Sequence, residues 1–437
     1  MRRNKLRWDW AQITTTTTTT TTNTTTTTTY VRPVERSTIV RIAGRFDHPL
    51  FTGAVALLGW LAFVLIRLEV WGKGQISYFI GIGVVYANSA RLPHGVHQVH
   101  SAGYDGQFYY RLALDPFNWH QTAYGITMDQ PYRYTRIGYS VVVWALSLGR
   151  QAWVPAMLVV VNLIAVGAIA VLGGIFAREG GRSALWGLLF VAYFGMIISV
   201  GRDTAEPLAA ACALGGLLCY RRGRHLGATA LITYAVITRE TFLLLAAAIA
   251  VTRLWGFFKQ RAVRVSPQDL VWLVPATSYL ALAGAEWAIG RGSHLGTSSD
   301  VARNLTAPFL GIIHALRLDN GELSFSHMGL ADYNLLELVT LAAVVLAAVL
   351  VLGISAARVH ERVAFSLFVL QALMASSLIW ASRFGELRSL IETYLFAVLI
   401  LLATPREQLP ARRCIGWLAA LVAFTLVVVA RRRVLYQ

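Results

Sequence analysis

Charged side chains are scarce in this chain, at 14% of 437 residues, against about 25% in soluble globular proteins. That shortfall excludes an ordinary water-facing surface for most of the sequence. Acids are scarcer than bases, which leaves a formal net charge of +17, carried almost wholly by arginine. In a soluble domain such an excess points to nucleic acid. Here the arginines fall in short clusters between apolar runs, the pattern of loops that meet anionic head groups, and no nucleic-acid partner is expected. Cysteine is nearly absent. Cys212, Cys219 and Cys414 are too few and too apolar in setting for a disulfide framework or a metal site, and they read as small buried hydrophobes. No Gly-rich phosphate loop and no Ser/His/Asp constellation stands out. A cleavable signal is not expected either, because the first apolar run begins near Pro49, beyond a normal signal.

What the chain does have is hydrophobic length. Hydrophobic residues make up 56% of it, and several windows reach the roughly 17–25 residues that cross a ~30 Å hydrocarbon layer. The fold class expected is all-α and polytopic, an integral membrane protein with about ten to twelve transmembrane helices. Residues 1–48 read as a disordered, basic, threonine-rich cytoplasmic tail, with threonine from Thr14 to Thr29 broken only by Asn23. Asn23-Thr24-Thr25 and Asn304-Leu305-Thr306 match a glycosylation sequon by chance-level patterns. Residues 49–437 form the transmembrane domain. Its first span runs from about Pro49 to Leu68, and a long polar loop follows over about 69–136. Further apolar runs lie near 137–149, 152–176, 184–200, 204–220, 226–254, 270–288, 335–356, 363–380, 389–403 and 414–430. Thr238-Arg239-Glu240 interrupts the run 226–254, and a second polar segment covers about 289–334. A basic tail before the first span places that tail in the cytoplasm and the 69–136 loop outside. The cluster Arg221-Arg222-Gly223-Arg224 breaks this alternation. Either one short run is re-entrant or the charge rule fails there.

The long loop holds the most informative segment, Gly103 to Pro116, GYDGQFYYRLALDP. Two glycines flank Asp105, so the backbone can turn sharply and approach a ligand. Gln107 to Leu114 reads as a short helix stopped by Pro116. Asp105 is either the cap of that helix or a general base within reach of an attacking hydroxyl. Tyr104, Tyr109, Tyr110, Trp119, Tyr124, Tyr132 and Tyr134 form an aromatic belt at the interface or a stacking surface for a sugar ring. Arg133 and Arg136 suit bidentate phosphate recognition, or head-group anchoring, and Arg111 reads as an interfacial anchor. Ionisable groups inside apolar stretches suggest function. Arg202, Asp203 and Glu206 lie between two runs, and Arg239 and Glu240 interrupt another. Their alternating signs suggest local ion pairs. Ser382 to Arg388 reads as a solvated loop, the alternative being further cations for the same face, Arg383 among them. His94, His97 and His100 share an i, i+3, i+6 spacing, but Pro93 and Gly95 argue against the helix that would gather them on a metal.

GYDGQFYYRLALDP, PYRYTRIGYS, GRDTAEPLAA and ITRETFLLL together resemble a group of bacterial polytopic proteins implicated in making cell-surface glycopolymers. That group is similar to the GT-C glycosyltransferases. The resemblance covers roughly residues 50–250; over 270–437 it rests on hydropathy alone. It implies an inverting enzyme of the bacterial cytoplasmic membrane, acting on the extracytoplasmic side. Such an enzyme takes a sugar from a polyprenyl-phosphate donor and gives it to a glycan, lipid or protein acceptor. By the same resemblance Asp105 is the catalytic acid. Tyr104, Gln107, Tyr109, Arg133, Arg136, Arg202, Asp203, Glu206, Arg239, Glu240 and Arg383 are the candidate substrate-binding residues. Many members carry two adjacent acids where Asp105 is followed by Gly106, so a divalent metal is possible but no ligand set is assigned. Asp115 and Asp129 are candidates for the missing second acid. Rival readings are a carrier or flippase for a lipid-linked glycan, using Asp203, Glu206, Arg239 and Glu240, and a non-catalytic assembly subunit.

Overall fold

A computed structural model describes residues 47–260, 271–290, 304–323, 329–381, 386–407 and 412–435. The threonine tract and Arg383 lie outside these residues. Helices dominate, as the composition demands: α1 Pro49–Val70, α2 Gly106–Leu114, α3 Gly138–Leu146, α4 Val154–Glu179, α5 Gly195–Gly201, α6 Glu206–Arg221, α7 His225–Thr238 and α8 Leu243–Gln260. They continue with α9 Val274–Gly290, α10 Leu310–Asn320, α11 Leu330–Val351, α12 Val359–Leu373, α13 Ser377–Trp380, α14 Ile391–Ala403 and α15 Arg412–Leu435. Two small ladders interrupt the expected all-α chain. Ile82–Gly83 pairs in parallel with Gln98–Val99, and Thr122–Ala123 pairs antiparallel with Ile126–Thr127. Both sit in the long loop.

Four helical stretches among the described residues are long and apolar enough to cross a membrane: Pro49–Val70, Gln151–Glu179, Leu330–Val351 and Ile415–Arg432. A fifth arises if the 3-10 helix Ala184–Val191 and α5, bent by 69°, count as one broken span. This is fewer than the ten to twelve expected, and the reason is local. Hydropathy counts apolar residues and does not see where a helix breaks. The run 137–149 becomes α3, which stops at Leu146 because Leu148 and Gly149 turn into the left-handed region. Nine residues at 1.5 Å each extend about 14 Å, less than half of a ~30 Å layer. The run 226–254 is two helices, parted at Arg239, whose backbone is extended (φ −156°, ψ 113°).

Helix α14 is the axis of the packing, with every residue from Ile391 to Leu402 buried. It lies against α4, α11 and α12, and α11 reaches α15 through a Thr340–Thr425 hydroxyl pair at 2.7 Å. Cys212 and Cys219 are half-buried free thiols rather than fully buried ones.

Ion pairs define one end of the bundle. Arg221, closing α6, grips Glu361 at the start of α12 through Nε (2.6 Å) and Nη2 (2.7 Å), and Glu179 at the end of α4 (2.6 Å). Arg182 donates to the Leu402 and Thr404 carbonyls where α14 ends. Asp47, before α1, accepts from Ser183 Oγ at 3.0 Å. The entry of α1 and the cluster 221–224 therefore share an end. A nine-residue α3, too short to cross by itself, is compatible with the re-entrant reading of the break in charge alternation.

Candidate functional site

The opposite end of the bundle carries the long loop. Its geometry follows from close backbone approach around Asp105. Tyr104 N donates to Gly81 O at 2.8 Å, and Ile82 bridges to Gly103. A Cβ on Gly103, which has φ +80°, would stand 2.4 Å from Gly83 N. One on Gly106 would meet the Arg202 and Ile80 carbonyl oxygens at 2.3 and 2.5 Å. Only glycine fits, because both obstacles at Gly106 are backbone and cannot swing aside. Gly106→Ala should therefore displace the Asp105 turn and lower the melting temperature of detergent-purified protein. A Gly74→Ala control, with nothing near its Cβ but φ +77°, should move it less.

Gln107, one of the candidate substrate-binding residues, pins this turn. Its Oε1 accepts from Gly83 N (3.1 Å) and its Nε2 donates to Ala102 O (3.2 Å). Arg111 is no interfacial anchor. It is fully buried and donates to the Asn118 and His120 carbonyls inside the loop. Tyr109, Tyr110 and Tyr134 are buried in the loop's own core, with Tyr109 set edge-on to Tyr139 at 5.5 Å. Burial pushes the Tyr109 hydroxyl up to about 12. These rings hold the loop together. Tyr104 and Tyr132 alone among the loop's tyrosines stack on arginines of the ion cluster.

Asp105 precedes α2 without capping it, since its side chain makes no bond to the helix start. Its oxygens go to arginines. Oδ1 meets Arg133 Nη2 at 2.8 Å, and Oδ2 pairs with Arg388 Nη2. Arg133 is also held bidentately by Asp129, both contacts 2.9 Å, and lies 4.4 Å over the Phe108 ring. Arg388 donates through Nε to Tyr104 Oη (2.9 Å) and through Nη1 to Glu206 Oε1. Glu206 accepts in addition from Arg239 Nη1 at 2.7 Å. Arg239 Nε reaches Glu392 at 2.6 Å, and its Nη2 reaches the Ser389 carbonyl at 3.0 Å. Beside this chain, Arg136 grips both oxygens of Glu240. Five carboxylates thus meet four guanidiniums, which keeps the cluster near neutrality despite the basic chain.

The cluster is layered. Glu206, Arg239, Arg388 and Glu392 are buried, whereas the Asp105 side chain is 18% exposed and that of Glu240 28%. Burial alone would raise the Asp105 carboxyl. The Arg133 and Arg388 guanidiniums overcome it and hold the group well below the usual carboxylate range.

Tyr104, Asp105, Arg133, Arg136, Glu206, Arg239 and Glu240 therefore converge, and Arg202 flanks the turn at Gly81 and Gly106. Asp203 faces elsewhere. It is fully buried, with φ +49° and no hydrogen-bond partner on either oxygen. The local ion pairs expected from alternating signs do not form. Glu206 takes Arg388 and Arg239 from across the molecule, and Glu240 takes Arg136 rather than its neighbour Arg239. Of the two candidate second acids, Asp129 joins the cluster through Arg133, while Asp115 accepts from Phe117 N in a local turn. Arg388, at the end of the segment read as a solvated loop, is instead buried and supplies a cation to the cluster, the alternative reading of that segment. Glu392 is the residue that sequence reasoning missed. Its i, i+4 spacing from Arg388 at the head of the most buried helix was the available signal.

Among the described residues no group of three or more His, Cys, Asp or Glu is placed to hold a metal. The cluster's carboxylates already face guanidiniums. His97 stacks on Tyr78 at 3.6 Å in an extended segment, and burial, then His100 and Lys73, lower its pKa. Comparison with known proteins returns no match, whether to a family model, a curated protein or a solved structure.

Proposed function

We propose that this chain is a membrane-embedded glycosyltransferase of GT-C type, moving a sugar from a polyprenyl-phosphate donor to a hydroxyl acceptor in cell-surface glycan synthesis. One observation carries the reading: Asp105 is a partly exposed carboxylate fixed at the edge of a buried arginine cluster, beside a helical bundle long enough to sit in lipid. General-base catalysis needs a carboxylate within hydrogen-bond reach of the attacking hydroxyl, and a leaving phosphate needs cations at the same depth. Asp105 takes the acceptor's proton, the acceptor oxygen attacks the anomeric carbon, and the bond from that carbon to the phosphate oxygen breaks with inversion. Arg133 keeps a buried Nη1 with no hydrogen-bond partner, a donor for the departing phosphate. Arg136 stands at the rim, 4.6 Å over the Tyr132 ring.

Purified protein in vesicles with radiolabelled polyprenyl-phosphate sugars and a mixed glycan acceptor tests this directly, by covalent product. Arg136→Gln should raise the donor KM roughly tenfold while changing kcat less, the pattern of lost ground-state binding. The carrier reading draws on a different observation, the broken helices, namely the extended Arg239 between α7 and α8 and the 69° bend between the 3-10 helix Ala184–Val191 and α5. Movement of the labelled lipid across the vesicle without covalent transfer would establish the carrier instead.

A further inference from the structure

The cations of the cluster are each fixed by a partner of their own, and Asp105 is not. Arg133 is held by both oxygens of Asp129 and by the Phe108 face. Arg388 is held by Glu206 and by the Tyr104 hydroxyl, with its guanidinium carbon 5.1 Å from the centre of the Tyr104 ring. Asp105 lacks a side-chain bond to the start of α2, and its ion pairs are with these two guanidiniums. It is the exchangeable anion of the set.

We propose that Arg388 is a positioning residue that locks Asp105 as an ion pair in the ligand-free site, and that an entering phosphate takes over the guanidinium contacts and so releases the carboxylate to act. This rests on the transferase reading and adds an order of events, with donor first and base second. A carboxylate held by two guanidiniums is a weak proton acceptor. Exchanging one contact for a phosphate oxygen both frees its lone pairs and adds negative charge beside it. The other groups that face Asp105 do not reverse this. Arg136, Asp129 and Tyr132 come from the segment before α3, Glu206 from α6, and Tyr104 and Tyr109 from its own segment. Asp129 and Glu206 stay paired with Arg133 and Arg388 throughout, so Asp105 alone gains.

Infrared titration of protein labelled with [4-13C]aspartate reads the lock without any transfer reaction. The Asp105 band is assigned by its loss in Asp105→Asn. In ligand-free protein that carboxyl should remain ionised below the pH at which an ordinary aspartate protonates, near 3.9. Sugar-free polyprenyl phosphate should raise its midpoint by about one pH unit or more, a tenfold change in proton binding. Inorganic phosphate should do the same only at much higher concentration if the prenyl chain aids delivery. Arg388→Gln should raise the midpoint without any anion. Arg388→Lys, which keeps one charge but cannot bridge Asp105 and Glu206 together, should fall between, and it serves if the glutamine variant does not fold. A midpoint that neither phosphate moves, or one equal in wild type and both Arg388 variants, overturns the lock. A shifting midpoint in protein that transfers no sugar would retain the lock and remove the transferase.

Discussion

Asp105→Asn should lower sugar transfer by about 10²–10⁴-fold, the range for loss of a general base, with little change in donor retention. The side chains are nearly isosteric, and an amide oxygen can still accept one hydrogen bond from Arg133 or Arg388. The charge is what disappears. Without it no group of suitable basicity stands at that position: both oxygens of Asp129 are engaged by Arg133, and burial pushes the Tyr109 hydroxyl up to about 12. The asparagine protein should bind polyprenyl phosphate at least as tightly as wild type, because two guanidiniums lose a competing anion. Initial rates in vesicles, read beside retention of labelled donor, separate these effects. A folded asparagine variant that transfers sugar at the wild-type rate would end the mechanism.

The position of that carboxylate was legible because its neighbours are unusual. Gly103 and Gly106 announce a tight turn, and the backbone oxygens that crowd them leave no room for a Cβ. The first span was legible from one uninterrupted apolar stretch, and α1 runs from Pro49 to Val70, close to the expected bounds. Span number was not legible. α3, α5, α7 and α14 are as apolar as spanning helices but short, and what shortens them is backbone conformation at Leu148, Arg202, Arg239 and Thr404 rather than polarity. Partner choice was hidden too. Arg239-Glu240 reads as a pair along the chain, yet an extended backbone at Arg239 sends the two side chains to different partners. Arg388 lies 283 residues from the acid it holds, and no local pattern encodes that distance.

Loss of Arg239 should destabilise the fold more than loss of any rim charge. Its guanidinium is the sole cation paired with Glu392 among the described residues and one of two on Glu206, and both acids are buried. It also ties the break between α7 and α8 to the Ser389 carbonyl ahead of α14. Arg239→Met keeps the length of the stem and removes every one of these bonds. Breaking a buried pair by removing one partner costs about 3–5 kcal/mol, because the remaining charge is left without compensation. Opening the rim pair with Glu240→Gln should cost less than this, since both partners keep some contact with water and the glutamine oxygen can still accept from Arg136. The cause can be separated from lost packing. If the uncompensated carboxylate is responsible, Arg239→Met with Glu392→Gln should regain stability relative to Arg239→Met alone, as removal of both charges is far cheaper than removal of one. Thr241 Oγ1, 2.5 Å from Glu392 Oε1, supplies a donor that the glutamine oxygen can still use. Thermal melts of the three proteins in one detergent decide it. A double variant no more stable than Arg239→Met would assign the loss to the helix break and not to the buried acid.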